Sequence, residues 1–376
     1  MIKKAKDLIY HNLKNIPGWR TTRKIVVFES DDWGSLRMPS LIAYTKLEES
    51  GLNLKDADAE RFNKNDNLAT AEDFENLFDV LSGVKDRNGN NAVFTPVSIV
   101  ANPDFKKIFE SGFESYYYEL FTETLKRFKG CERSFEMWKE GIDKNLFVPQ
   151  LHGREHLNVK LWMDALTRGD DHTLRAFKEG VWGFVPDAYP VIDYQAAFLL
   201  REESDLEYYK IQLKEAVKIF KELFGYKACY FVPPNGHFTN SLNKFLIEHD
   251  IKFRSAAKIQ IETLKSGQKK KRFHYLGQSD RSGIKYITRN CVFEPNQNEN
   301  DWVDKCLFDI RSAFKWNKPA IINSHRVNYV SSLNVKNRDH GLYQLSNLLK
   351  SIVKKWPDVE FMTTAELGKL MDNANE

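Results

Sequence analysis

Short apolar runs alternate with helically patterned segments, and this predicts an α/β fold: one barrel-like unit of parallel strands with long loop insertions. Three observations support it. Seven or eight candidate strands are spread over all 376 residues, with no linker-like break, internal repeat or low-complexity tract between them. Most are followed by a stretch with helical spacing. Four groups of chemically unusual residues fall at the predicted C-terminal ends of strands, the edge where parallel α/β architectures bind their ligands.

The elements follow in order. Ile2, Ala5, Leu8, Ile9, Leu13 and Ile16 recur at helical spacing. Residues 1–17 are therefore expected to form an amphipathic helix packed on the barrel and stopped at Pro17-Gly18, rather than one lying on a membrane. Lys24-Ile-Val-Val-Phe28 reads as a buried strand running into Glu29-Ser-Asp-Asp-Trp-Gly34. Residues 71–84 are helical, residues 86–91 a turn, and residues 92–100 and 145–151 strands, the latter ending at His152. Residues 206–224 form a strong amphipathic helix with Gly225 as its C-cap. Strands at 228–232, 252–256, 286–289, 320–323 and 359–362 and helices at 242–249, 301–314 and 341–356 complete a single unit over residues 1–376.

Composition narrows the function. With 56 basic against 52 acidic residues, the net charge of +4 gives no general attraction for nucleic acid. The basic run Lys269-Lys-Lys-Arg272 reads as a solvated loop. Cys131, Cys229, Cys291 and Cys306 are far apart, with no C-x-x-C pair. No apolar run reaches the roughly 18–20 residues of a membrane helix. The N-terminus lacks the uninterrupted apolar core of a secretory signal, so a cytoplasmic location is expected.

Four groups carry the chemistry. Asp31 and Asp32 leave the core side by side, and carboxylates held together resist joint ionisation. A cation resolves the conflict, with one carboxylate as base and the other on the ion. In His152-Gly-Arg-Glu-His156, residues i and i+4 can aim two imidazoles at one divalent ion. The same five residues fit the inverted zinc-peptidase pattern, which needs a helix through both histidines and a later acidic ligand such as Glu202 or Glu207. Pro233-Pro-Asn-Gly236, with His237, follows a strand. His325 follows another and suits a positioned general acid.

Together these groups resemble the polysaccharide deacetylase family, metal-dependent carbohydrate esterases acting on N-acetylated glycans. That family's Thr-Phe-Asp-Asp-Gly resembles Glu29-Ser-Asp-Asp-Trp33, its His-Ser/Thr-x-x-His resembles His152 to His156, its Arg-x-Pro-x-Gly resembles Val232 to Gly236, and its Leu-x-His resembles Asn323-Ser-His325. The closing Thr363-Thr-Ala-Glu-Leu-Gly368 is also similar. The resemblance implies a deformed (β/α)7 TIM-like barrel. It implies one divalent ion, zinc first, held by Asp32, His152 and His156, with Asp31 as base and His325 as acid. The implied substrate is an acetylated glycan or sugar precursor, contacted by Trp33, Pro234, Asn235, Arg154 and Arg326; aromatic Trp182, Phe184 and Tyr189 are further candidates for a groove. The departures are Trp33 for Gly, Gly153 for Ser/Thr and Val232 for the Arg that supports the base. Arg154, Arg289 and Arg326 are the candidates to replace that Arg, and Glu294 near Trp302 is the candidate for the fourth motif. A non-catalytic carbohydrate-binding relative is the main alternative.

Overall fold

The computed structural model describes residues 12–55, 59–186, 194–264, 268–298 and 301–373. Its centre is β1 (Lys24–Trp33), whose β-branched start suits a strand buried on both faces. β1 pairs in parallel with β2 (Phe94–Ile99), which pairs with β5 (Gln150–Gly153), β6 (Tyr230–Phe231) and β7 (Phe253–Ser255) in turn. Ala101–Pro103 and Tyr118–Leu120, β3 and β4, form a separate antiparallel pair. β8 (Ile259–Thr263) and β9 (Lys269–Phe273) form a hairpin. β10 (Lys285–Ile287) pairs with β7, while β11 (Cys291–Val292) pairs with β12 (Ala320–His325), which returns to β1. β13 (Val359–Phe361) pairs with the start of β1.

The order β10-β7-β6-β5-β2-β1-β12-β11 has two ends that are consecutive in the chain. Only residues 288–290 separate β10 from β11. One bent segment thus pairs with β7 through its first half and with β12 through its second, which closes seven strands into a ring. This is the deformed seven-stranded barrel that the motif resemblance implies.

Period-two alternation sorts the strand residues. Ile25, Val27, Val97, Tyr230, Val232, Phe253, Ile287 and Ile321 from six strands meet in one cluster, the barrel interior. Leu367 and Met371 of the helix Thr364–Asn373 join them. That helix crosses the end where the strands begin: Gly368 packs on Phe253 and Asp372 pairs with Lys285. Val26, Phe28, Phe94, Leu151, Phe231 and Ile322 face outward into the larger core beneath the helices.

Most predicted elements stand within a few residues of their expected ends. The helix Asp205–Phe224 stops at Gly225, whose φ of 78° is the left-handed cap conformation. Thr70 and Asp73 form a reciprocal capping box on the helix Ala71–Ser82. The third predicted strand, residues 145–151, shortens to Gln150–Gly153. The basic run 269–272 is not a loop: it is most of β9, paired residue for residue with β8. Residues 1–11 of the predicted N-terminal helix and Tyr189 lie outside the described residues. All four cysteines are free thiols, and no described helix is long and apolar enough to cross a membrane.

Candidate metal centre with its acid and base

β1 carries the first two functional residues through a break in its own geometry. Adjacent side chains of a regular strand point to opposite faces. β1 pairs regularly with β2 as far as Ser30 opposite Pro96, then slips so that Trp33 faces Ser98. Asp32 sits in the slip with φ of 75°, a left-handed conformation that costs on the order of 1–3 kcal/mol for a non-glycine residue. The bulge brings Asp31 and Asp32 to the same mouth of the barrel. Beyond it, Trp33 turns into the outer core against Phe74, Trp138 and Phe147.

A second slip lies opposite, where Ile99 of β2 pairs with Gly153 at the end of β5. Gly153 has φ of 131°, which a residue with a Cβ rarely adopts. The backbone turn between the two histidines therefore requires glycine, and this accounts for the departure from Ser/Thr.

His152 is fixed by its Nδ1, which donates to the Val232 carbonyl at 2.6 Å. That bond leaves the Nε2 lone pair free. Nε2 is buried without a hydrogen-bond partner, 3.4 Å from Asp32 Oδ1. His156 Nε2 lies 3.3 Å from the same oxygen. Three ligand atoms about 2.0–2.1 Å from one ion in tetrahedral geometry are about 3.3–3.4 Å apart. Among the described residues, Asp32, His152 and His156 form the one group of three or more His, Cys, Asp or Glu side chains that converge in this way. The residues fit a single divalent ion: one carboxylate oxygen, two imidazole nitrogens, and an orphaned buried nitrogen aimed between them. Burial pushes the Asp32 carboxyl up, but the two flanking imidazoles outweigh it and hold the group well below the usual carboxylate range.

Asp31 is the register partner of His325 on β12, so base and acid candidates stand side by side at adjacent strand ends. Arg289, just beyond β10, clamps Asp31 with two bonds of 2.6 Å. Its Nε donates to Glu29 at 2.5 Å, and it also bonds Asn323. Glu29 in turn accepts from Tyr230 and Thr364. Burial raises the Asp31 carboxyl, and the Arg289 guanidinium overcomes that and keeps it below its ordinary value. Val232 cannot supply this clamp with a side chain. The arginine comes instead from the bent closing strand, and Val232 contributes its carbonyl to His152.

His325 Nδ1 lies 2.6 Å from Glu294, the residue two places after β11. Glu294 also accepts from Arg61 at 2.8 Å and Asn328 at 2.9 Å, and the Phe62 ring stands edge-on to His325. Burial lowers the imidazole and Glu294 more than reverses this, raising it to about 9.

The other expected site residues are more scattered. Arg154 is held by Glu155 and Glu215 and lies over the Tyr118 ring, and Arg326 is fully buried against Asp66 and the Ser35 carbonyl. Trp182 stacks on His156, whereas Trp33 stands in the outer core. Pro234 is buried and Asn235 exposed on the turn after β6. Arg289 is one of the three arginines that the sequence offers as replacements, and Glu294 is the residue named there for the fourth motif; the structure places them on Asp31 and His325. Arg61, Phe62 and Asp66, delivered by the insertion after β1, have no sequence signal at all.

No family model matches the chain, and neither does any curated protein. Solved structures do. A candidate glycoside hydrolase/deacetylase from Parabacteroides distasonis is 11% identical over 94% of this chain and 72% of that one, with a TM-score of 0.49. A probable polysaccharide deacetylase from Pseudomonas aeruginosa is 8% identical over 93% and 91%, at 0.46. The 4-alpha-glucanotransferase of Thermococcus litoralis is 10% identical over 92% of this chain, at 0.46, and this chain spans 40% of its length. At these identities and scores, the chain's own residues are what speak to its chemistry.

Proposed function

We propose that this protein is a metal-dependent hydrolase that removes acetyl groups from an N- or O-acetylated glycan or sugar precursor. The observation that carries the reading is one mouth holding three parts: the Asp32, His152 and His156 group, a carboxylate clamped by Arg289, and an imidazole clamped by Glu294.

Asp32, His152 and His156 would hold the ion. When bound, a divalent ion such as zinc acidifies water and polarises an acyl oxygen. Asp31, kept ionised by Arg289, accepts the proton of the attacking water. His325, kept protonated by Glu294, donates a proton to the departing amine or hydroxyl. Each proton transfer is typically worth about 10²–10⁴ in rate. Asp31 is buried, whereas the His325 side chain stays 26% exposed at the mouth, where a leaving group can reach it.

The inverted-peptidase alternative finds no support. Residues 150–153 are strand and 154–158 irregular, not the helix that motif requires, and the Glu155 carboxylate is occupied by Arg154 and Gln212. The non-catalytic alternative rested on the missing motif arginine; the two bonds from Arg289 to Asp31 favour the catalytic reading.

The test measures acetate release and metal content together, on N- and O-acetylated sugars with zinc added. Asp31→Asn is expected to lose at least about 10²-fold in turnover while still binding metal, and His152→Ala to lose the metal itself. Full activity in Asp31→Asn would remove the base assignment. No acetate from any acetylated sugar, with metal bound, would leave the non-catalytic reading.

A further inference from the structure

We propose that the outward face of the β8–β9 hairpin docks this protein onto an anionic lipid bilayer. This goes beyond the deacetylase reading and does not depend on it.

The crossovers before and after β6 include helices, Asp205–Phe224 and Asn243–Glu248, whereas the hairpin bridges β7 and β10. The strand face beneath the hairpin is unusually polar. Arg254 of β7 is fully buried, between the Phe238 ring at 5.0 Å and the Tyr286 ring at 4.9 Å. The hairpin meets it with its own polar residues. Gln260 donates to the Phe238 carbonyl at 2.7 Å. Glu262 accepts from Thr239 at 3.1 Å and from the Asn240 N–H at 2.7 Å, and pairs with Arg272 at 2.6 Å. His274 bonds Gln260.

These bonds fix the register, and alternation does the rest. With Gln260 and Glu262 facing in, Ile259, Ile261 and Phe273 face out, exposed at 59%, 48% and 67%. Ile259 is directly opposite Phe273. Lys271 is opposite Ile261, and Lys269 opposite Thr263, so both lysines share the apolar face. Tyr275 is exposed just beyond. From residue 256 to 275 the sequence has one acid, Glu262, and it is buried.

An exposed face that is both apolar and basic is matched by a surface that is both acyl and anionic. A second copy of the chain would set the same lysines against each other. A nucleic acid would take the lysines and leave two isoleucines without an apolar partner.

The experiment is sedimentation of the full chain with vesicles of phosphatidylcholine alone and with about one-third phosphatidylserine. Binding is expected only with the anionic lipid. It is expected to fall at least about tenfold both in Lys269→Glu/Lys271→Glu and in Ile259→Ser/Phe273→Ser. All four side chains are exposed, and circular dichroism checks that each variant is folded. Phe273→Trp is expected to show a blue-shifted emission when anionic vesicles are added. Unchanged binding in the serine variant overturns the proposal. So does tighter binding to a single-stranded oligonucleotide than to vesicles, or a dimer dissolved by Phe273→Ser in a protein that ignores lipid.

Discussion

His325 shows how a single contact sets a residue's chemistry. A free imidazole titrates near 6.5, whereas the Glu294 carboxylate raises this one to about 9. The pair therefore stabilises the folded state fully below about pH 6.5, and that stability is lost as pH rises through about 9. In the chelated protein, the His325 ring is expected to titrate near 9 by NMR, and Glu294→Gln to move it towards or below the ordinary value. A wild-type ring titrating near 6.5 would remove Glu294 as the tuning group. Asp31, Asp32, His152 and His325 were legible because each is a polar residue at the end of an apolar strand, and His156 through its spacing of four from His152. Arg289 stood only as one of three candidate arginines, and Glu294 was named with no role towards His325, because what selects them is a partner 258 residues away for Arg289 and 31 for Glu294. Nothing in the sequence records such pairings.

Elements are where local pattern and tertiary demand part company. Helices with caps, such as Ala71–Ser82 and Asp205–Phe224, could be read almost to the residue because propensity and capping agree. Two bulges were invisible. One turned Trp33 from the expected groove into the core, and the other explains Gly153. Gly153→Ala forces a Cβ onto a φ of 131° and is expected to cost on the order of 1–3 kcal/mol of stability. Because the two histidines flank that residue, zinc affinity should fall with it, as calorimetric titration would show. β9 escaped recognition because consecutive lysines carry little strand propensity; its pairing with β8 and the polar wall behind the hairpin impose the conformation.

For the whole molecule, the ion and the fold should be thermodynamically linked. A ligand that binds only the native state at 100 times its Kd adds about 2.7 kcal/mol. Chelation is expected to lower Tm by several degrees, and His152→Ala to abolish the difference between chelated and zinc-loaded protein. Equal Tm values for the two wild-type samples would refute an ion at this mouth. The alternation of strands and helices made the barrel legible. The manner of its closure was not, since β10 and β11 read as one run and a loop.

That closure has a consequence for how such a protein loses or gains activity. The seam of the cylinder also supplies the guanidinium on Asp31 and the carboxylate on His325, both within about six residues from Arg289 to Glu294. A one-residue insertion there would unzip the wall and part both Asp31 and His325 from their partners in a single event, leaving Asp32 of β1 and His152 of β5 in place. Architecture and reactivity are thus inherited together at one stitch.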